Sequence, residues 1–109
     1  VRDAAGRVRG IVEYRDASPA ERAIHEINSG IMALEAGALR QLLAGVEPRN
    51  AQGEYYLTDV VGLAVAAGRP VAALPAGAPE EILGVNDRAQ LAELERVVQT
   101  RAARALFAQ

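Results

Sequence analysis

The chain has 109 residues, 12 basic and 14 acidic, for a formal net charge of -2. That is about 0.7 of a typical ~150-residue domain, so the length fits one domain or part of one. Every basic residue is Arg, which excludes a Schiff-base lysine and a P-loop lysine from these residues. The lack of Cys excludes a disulfide scaffold, a thiolate zinc site and a cysteine nucleophile, and a single His excludes a multi-histidine metal site. The mildly acidic balance argues against nucleic acid as a partner. No apolar run approaches the ~20 residues of a membrane span, and the opening segment VRDAAGRVRG is too polar for a signal peptide. The expectation is a soluble, cytoplasmic chain. At 50% hydrophobic and 4% aromatic residues, its core should be aliphatic.

In chain order, Arg7 to Tyr14 (RVRGIVEY) is rich in Val and Ile and reads as a strand. Ser18-Pro19-Ala20-Glu21 is a helix start: a capping Ser, Pro at the first helical position and Glu three residues after the Ser. That helix is short, because Glu26 to Leu34 (EINSGIMAL) is strand-like again, with a break at Asn28-Ser29-Gly30. Glu35 to Ala44 carries Leu39, Leu42 and Leu43 at helical spacing, with Gly45 as a C-cap. Glu47 to Gly53 is a polar loop. Leu57, Val60, Val61 and Ala64 then repeat with helical period, and Gly68 stops that helix.

Pro70 to Leu74 and Glu81 to Val85 are short strand candidates on either side of a Pro75 to Pro79 loop. Asp87 to Phe107 is a long helix, capped by Asp87 with Gln90 three residues on, whose inner face carries Leu91, Leu94, Val98 and Ala105. Strands alternating with helices indicate an α/β layer architecture. There is no internal repeat, no low-complexity tract and no evident linker.

No catalytic motif is complete: no Gly-rich dinucleotide loop, no Walker sequence, no zinc-protease helix and no nucleophile elbow. His25, beside Glu26, could act as a general base, but a surface or capping histidine is the simpler reading. Tyr55 and Tyr56 read equally well as core aromatics. More informative are polar residues where local structure does not ask for them. Glu13 lies near the end of an apolar strand, where a carboxylate must find donors or water. Asn28 interrupts another, although a bulge alone would account for it. Asn86 precedes Asp87, which already suits the N-cap, so Asn86 is left free. All three fall near a strand's end or break, and open α/β sheets bind ligands beyond the carboxyl ends of their strands. A carboxylate, two amides, a Tyr and a Thr suit a polyhydroxylated ligand, and Asn can give Mg²⁺ a neutral oxygen.

Five stretches occur in a telling order: Gly10-Ile11-Val12-Glu13 with Asp16-Ala17; Glu26-Ile27-Asn28-Ser29-Gly30-Ile31; NAQGEYYLTD over 50–59; Gly84-Val85-Asn86-Asp87-Arg88; and Gln90-Leu91. In this order they resemble the bacterial bifunctional N-acetylglucosamine-1-phosphate uridyltransferase / glucosamine-1-phosphate N-acetyltransferase family. NAQGEYYLTD is the specific element; the others have looser counterparts in other sugar nucleotidyltransferases. The resemblance runs along essentially the whole chain but covers only the second half of the family's uridyltransferase domain. The Gly-rich nucleotide segment with its Arg and Lys falls outside the matched part. So do an Asp that shares the metal and the left-handed β-helix that carries acetyl transfer and trimerisation.

The resemblance implies part of a Rossmann-like nucleotidyltransferase domain, a mixed sheet flanked by helices, with residues 1–109 as its acceptor-sugar half. It implies joining of UTP and N-acetylglucosamine-1-phosphate into UDP-N-acetylglucosamine and diphosphate, for peptidoglycan and lipopolysaccharide precursors. Glu13 and Asn28 would then hydrogen-bond sugar hydroxyls, Tyr56 and Thr58 would line the acetamido pocket, and Asn86 would coordinate Mg²⁺ beside the sugar phosphate. Two positions depart from the family's pattern. Ser29 stands where Thr is usual and keeps the hydroxyl; Arg15 stands where Lys is common and replaces a point-like ammonium by a planar fork. A non-catalytic sugar-phosphate-binding or protein-interaction module is the alternative reading.

Overall fold

Residues 1–108 are described by the structure, a computed structural model. They fall into two units, Val1–Ala73 and a second that begins at Leu74.

The first unit opens with a tight antiparallel turn. Val8 bridges back to Arg2, and the Val1 nitrogen donates to the Gly10 carbonyl at 2.8 Å. Asp3 closes the turn: its Oδ1 accepts from the backbone N–H of Ala5 and Arg7, both at 3.0 Å. The Arg7 N–H bond is the chief cause that holds the Asp3 carboxyl below its ordinary range. Arg2 then reaches Glu26 with both arms of its guanidinium, Nε to Oε2 at 2.7 Å and Nη2 to Oε1 at 2.6 Å. That hydrogen bond, foremost, lowers the Glu26 carboxyl and raises the guanidinium.

Three helices follow. Helix α1, Pro19–Arg22, has the full reciprocal cap: Glu21 N–H donates to Ser18 Oγ, and Ser18 N–H donates to Glu21 Oε2 at 2.8 Å. Helix α2, Ala36–Leu43, is capped by Glu35, whose two carboxylate oxygens accept from the N–H of Gly37 and Ala38 at 2.6 and 2.7 Å. Its cap at the other end is Ala44 rather than Gly45; Gly45 donates its N–H to the Leu42 carbonyl. Helix α3, Asp59–Ala66, ends as its glycine dictates. Gly68 has φ +70°, a left-handed conformation open to glycine at little cost. Its N–H meets the Val65 carbonyl while Arg69 N–H meets that of Ala64, so both of these carbonyls at the helix end find donors.

The core lies where α2 packs on α3. Leu42, Val60 and Ala64 are buried, Val60 to 2% exposure, with Leu39, Val46, Val61, Leu63 and Val71 packed against them. All eight side chains are aliphatic, as the composition implies. The segment before Glu13 runs along α3 at close range: a Cβ placed on Gly10 would stand 3.9 Å from the Gly62 Cα. This brings Glu13 to the first turn of α3.

The second unit holds a 3₁₀ turn, Pro79–Glu81, and the 20-residue helix α4, Arg88–Phe107. Asp87 caps α4 by accepting from Gln90 N–H at 2.8 Å. Gln90 Oε1 in turn accepts from the N–H of Asn86 rather than that of Asp87, so the box spans one residue more than expected. Arg101 Nη2 donates to Glu80 Oε1 at 3.1 Å and ties the helix to the 3₁₀ turn.

Two expectations are not met among the described residues. None of the four strand candidates, 7–14, 26–34, 70–74 or 81–85, is a strand among the described residues; the bridge at Val8 is the one trace of pairing. A strand exists only through its neighbour's hydrogen bonds, and these segments find no ladder partner among the described residues. Second, the expected inner face of α4 is not covered. Leu91, Val98 and Ala105 are exposed and only Leu94 is half-buried. Helical period places apolar residues on one side but does not supply a partner to bury them.

Candidate functional site

The site begins with two turns that clasp each other. In the first, the Glu13 carbonyl accepts from the N–H of Asp16 and Ala17, both at 3.0 Å. In the second, Asn50 organises its own loop: its Oδ1 accepts from the N–H of Gln52 and Glu54, both at 3.1 Å, and its Nδ2 donates to the Glu54 carbonyl. Asn side chains favour such turns because they mimic a backbone acceptor. Gly53, at φ +66°, supplies the left-handed step that the loop needs. Asp16 Oδ1 accepts from Ala51 N–H at 2.7 Å, and Arg15 Nη1 donates to Gln52 Oε1 at 2.7 Å. Two polar bonds thus join the 13–17 turn to the 50–54 loop across more than 30 positions of sequence.

Two side-chain contacts accompany this clasp. Gln52 Nε2 donates to the Tyr56 hydroxyl. Two residues on, Thr58 Oγ1 donates to Glu13 Oε1 at 3.2 Å. Glu13, Tyr56 and Thr58 are each half-buried, so the two contacts stand at the surface within reach of a ligand. The Glu13 carboxylate has a second oxygen for a further donor. The arrangement offers a joined carboxylate and hydroxyl, with a phenol two positions before the hydroxyl in the sequence, and these can bind hydroxyl and amide groups.

Of the five residues singled out in the sequence, the structure joins two, Glu13 and Thr58, while Tyr56, two positions before Thr58, is held separately by Gln52. Asn28 lies exposed in the segment between α1 and α2, two residues beyond the Glu26 that Arg2 holds, with a bend at Gly30. Asn86 belongs to the second unit, exposed, its backbone N–H held by Gln90. The strand ends expected to align Glu13, Asn28 and Asn86 are absent among the described residues, so these residues rest on turns and a cap instead. His25 is exposed, as the simpler reading has it, and Tyr55 is 72% exposed and not a core aromatic. Among the described residues no three His, Cys, Asp or Glu side chains gather as a metal site.

Four members of the clasp are not assigned by sequence reasoning: Arg15, Asp16, Asn50 and Gln52. The Asn–x–x–Gly pattern of 50–53 is a turn signal that could have identified Asn50. An open depression of about 310 Å³ elsewhere in the first unit is lined by Ile11, Gly45, Glu47, Arg49, Asp59 and neighbours. It holds none of the five. No described helix is long and apolar enough to cross a membrane.

No family model matches the chain. Curated proteins named "Bifunctional protein GlmU" do match it. That of Methylococcus capsulatus is 56% identical over 107 residues, 98% of this chain and 23% of its own length. That of Bordetella petrii is 58% identical over 104 residues, 95% of this chain and 23% of its own. That of Pseudomonas entomophila is 53% identical over all 109 residues, 24% of its own. The chain therefore spans about a quarter of the length of the relatives it matches.

Proposed function

We propose that this chain, which corresponds to one segment of the GlmU proteins, is the acceptor-sugar half of a cytoplasmic uridyltransferase. The whole protein would join UTP and N-acetylglucosamine-1-phosphate to give UDP-N-acetylglucosamine and diphosphate, for cell-wall and lipopolysaccharide precursors. The observation that carries the reading is the Thr58 to Glu13 contact at 3.2 Å. Two half-buried polar side chains 45 positions apart are joined at the surface, where packing alone has no use for them.

In this reaction the sugar-phosphate oxygen attacks the α-phosphorus of UTP in line and diphosphate leaves. Catalysis is positioning and charge neutralisation, with no covalent protein intermediate. Glu13 and Asn28 hold the sugar hydroxyls; Tyr56 and Thr58 hold the acetamido group. The nucleotide grip and most of the positive charge come from outside these residues, as do the strands that pair with 7–14, 26–34, 70–74 and 81–85 in a mixed, Rossmann-like sheet. The trimer that the family resemblance implies would likewise form through a domain beyond them.

Asn86 fits one place around Mg²⁺. Its neutral amide oxygen is a donor type that this ion accepts, its side chain is exposed, and the neighbouring Asp87 carboxylate is already occupied as a helix cap. The other ligands would be phosphate, water and residues beyond this segment. When bound, the ion neutralises charge on the phosphates.

The test is steady-state kinetics of the full-length protein carrying Glu13→Gln. Hydrogen bonds to a charged group are worth about 1.5–3 kcal/mol, so KM for N-acetylglucosamine-1-phosphate should rise roughly tenfold to a hundredfold. KM for UTP should stay within about twofold of its original value. Equal shifts in both would overturn the assignment of Glu13 to the sugar.

A further inference from the structure

We infer that Gln52, held by Arg15, is a positioning residue that fixes the Tyr56 hydroxyl as a hydrogen-bond donor toward the ligand. The inference rests on the acetamido-pocket reading above and adds to it how the pocket's polarity is set.

The argument starts with Arg15. A guanidinium only donates, so the group that faces Arg15 Nη1 at 2.7 Å must be the Gln52 carbonyl oxygen. The other end of that amide, Nε2, therefore points the opposite way, and it meets the Tyr56 hydroxyl. An amide N–H₂ only donates, so the Tyr56 oxygen accepts and its own proton is left over. Gln52 is itself anchored, because its backbone N–H donates to Asn50 Oδ1 and the adjoining Ala51 N–H to Asp16 Oδ1. The orientation thus follows from groups with a single hydrogen-bonding sense.

Thr58 is set in the opposite sense. Its neighbour is a carboxylate, which accepts, so the Thr58 hydroxyl spends its proton on Glu13 Oε1 and keeps lone pairs free. The two residues then present one donor, Tyr56 O–H, and one acceptor, Thr58 Oγ1. A secondary amide has the complementary pair, a carbonyl oxygen and an N–H. An amine at the same position has no carbonyl oxygen and leaves the Tyr56 proton unpaired. The Arg15–Gln52–Tyr56 relay thereby becomes a determinant of selectivity for an N-acylated over a free amino sugar.

Gln52→Glu inverts one element of this relay and little else. The side chain keeps its shape and its bond to Arg15, but its second oxygen now accepts. Tyr56 then donates to that carboxylate oxygen rather than to the ligand, which removes the donor from the pocket. The full-length protein and the variants Q52E, Y56F and the double variant are assayed for kcat/KM with N-acetylglucosamine-1-phosphate and glucosamine-1-phosphate. Loss of one hydrogen bond corresponds to a change of roughly threefold to tenfold. Q52E should narrow the preference for the acetylated sugar by that factor through KM, Y56F should narrow it similarly, and the double variant should add nothing to Y56F. If Y56F narrows the preference and Q52E leaves it within about twofold, Gln52 is only a loop residue and the inference fails while the pocket reading stands. If Q52E weakens both sugars alike, the inference fails in the same way. If Y56F leaves the preference unchanged, the pocket reading itself is wrong and the inference falls with it.

Discussion

Thr58 precedes α3 but does not cap it; its hydroxyl donates instead to Glu13, 45 positions earlier in the chain, at 3.2 Å. A Thr at a helix start ordinarily gives its side chain to the first free N–H groups. Here the residue has αR backbone angles, with φ -61° and ψ -23°, and the hydroxyl is turned to a carboxylate. The contact links the turn after Gly10 to the helix that supplies the core, so the contact and the core share one element.

Replacement of that hydroxyl should therefore affect sugar choice before helix stability. Thr58→Val in the full-length protein should reduce the preference for N-acetylglucosamine-1-phosphate over glucosamine-1-phosphate by roughly threefold to tenfold, the value of one neutral hydrogen bond. The ratio of kcat/KM for the two sugars is the measurement. An unchanged ratio would remove Thr58 from the pocket.

For the metal, Asn86→Ala in the full-length protein should lower Mg²⁺-dependent turnover by on the order of a hundredfold, since one contact to developing charge is worth ~3 kcal/mol. Turnover measured against Mg²⁺ concentration checks this. Near-normal activity at limiting Mg²⁺ would show that Asn86 is no ligand.

The acid limb of stability follows from the caps. The N–H of Gly37, and next that of Ala38, hold the Glu35 carboxyl below its ordinary range. Glu21 is lowered in the same way, first by the Ser18 side chain, and Glu26 by Arg2. A carboxyl lowered in the folded state stabilises the fold above its unfolded value and loses that effect as pH falls through the folded one. Thermal melts followed by far-UV circular dichroism should show a midpoint that falls as pH drops below about 4. Glu35→Gln, which cannot ionise, should lose part of that dependence. A midpoint constant from neutral pH to about pH 3 would contradict the caps described here.

Helix punctuation was legible in the sequence because it is local. Ser18 with Glu21, Asp87 and Gly68 each act within a few residues and perform the expected task, while the Gln90 side chain closes on the N–H of Asn86 instead of Asp87. The strands were not legible as structure, since Val-rich segments state a preference and only a neighbour completes it. The clasp of Arg15 and Asp16 on Gln52 and Ala51 was hidden for a related reason: its bonds span 37 and 35 positions. Glu13 could be singled out because it is polar where local structure has no need of polarity, whereas Tyr56 and Thr58 entered only through the family resemblance. Which of them touch, and in which hydrogen-bonding sense, depends on the packing of α3 beside the Gly10 segment.

The central claim is a division of labour, with the sugar grip in these residues and the nucleotide grip elsewhere. Its most direct test is diphosphate release from UTP and N-acetylglucosamine-1-phosphate. The 109-residue chain would be assayed alone and after mixing with a separately made nucleotide-binding segment of the same protein. The account predicts no turnover by the chain alone and turnover in the mixture that depends on Glu13. Turnover by the chain alone at a rate near that of the full-length protein would contradict it.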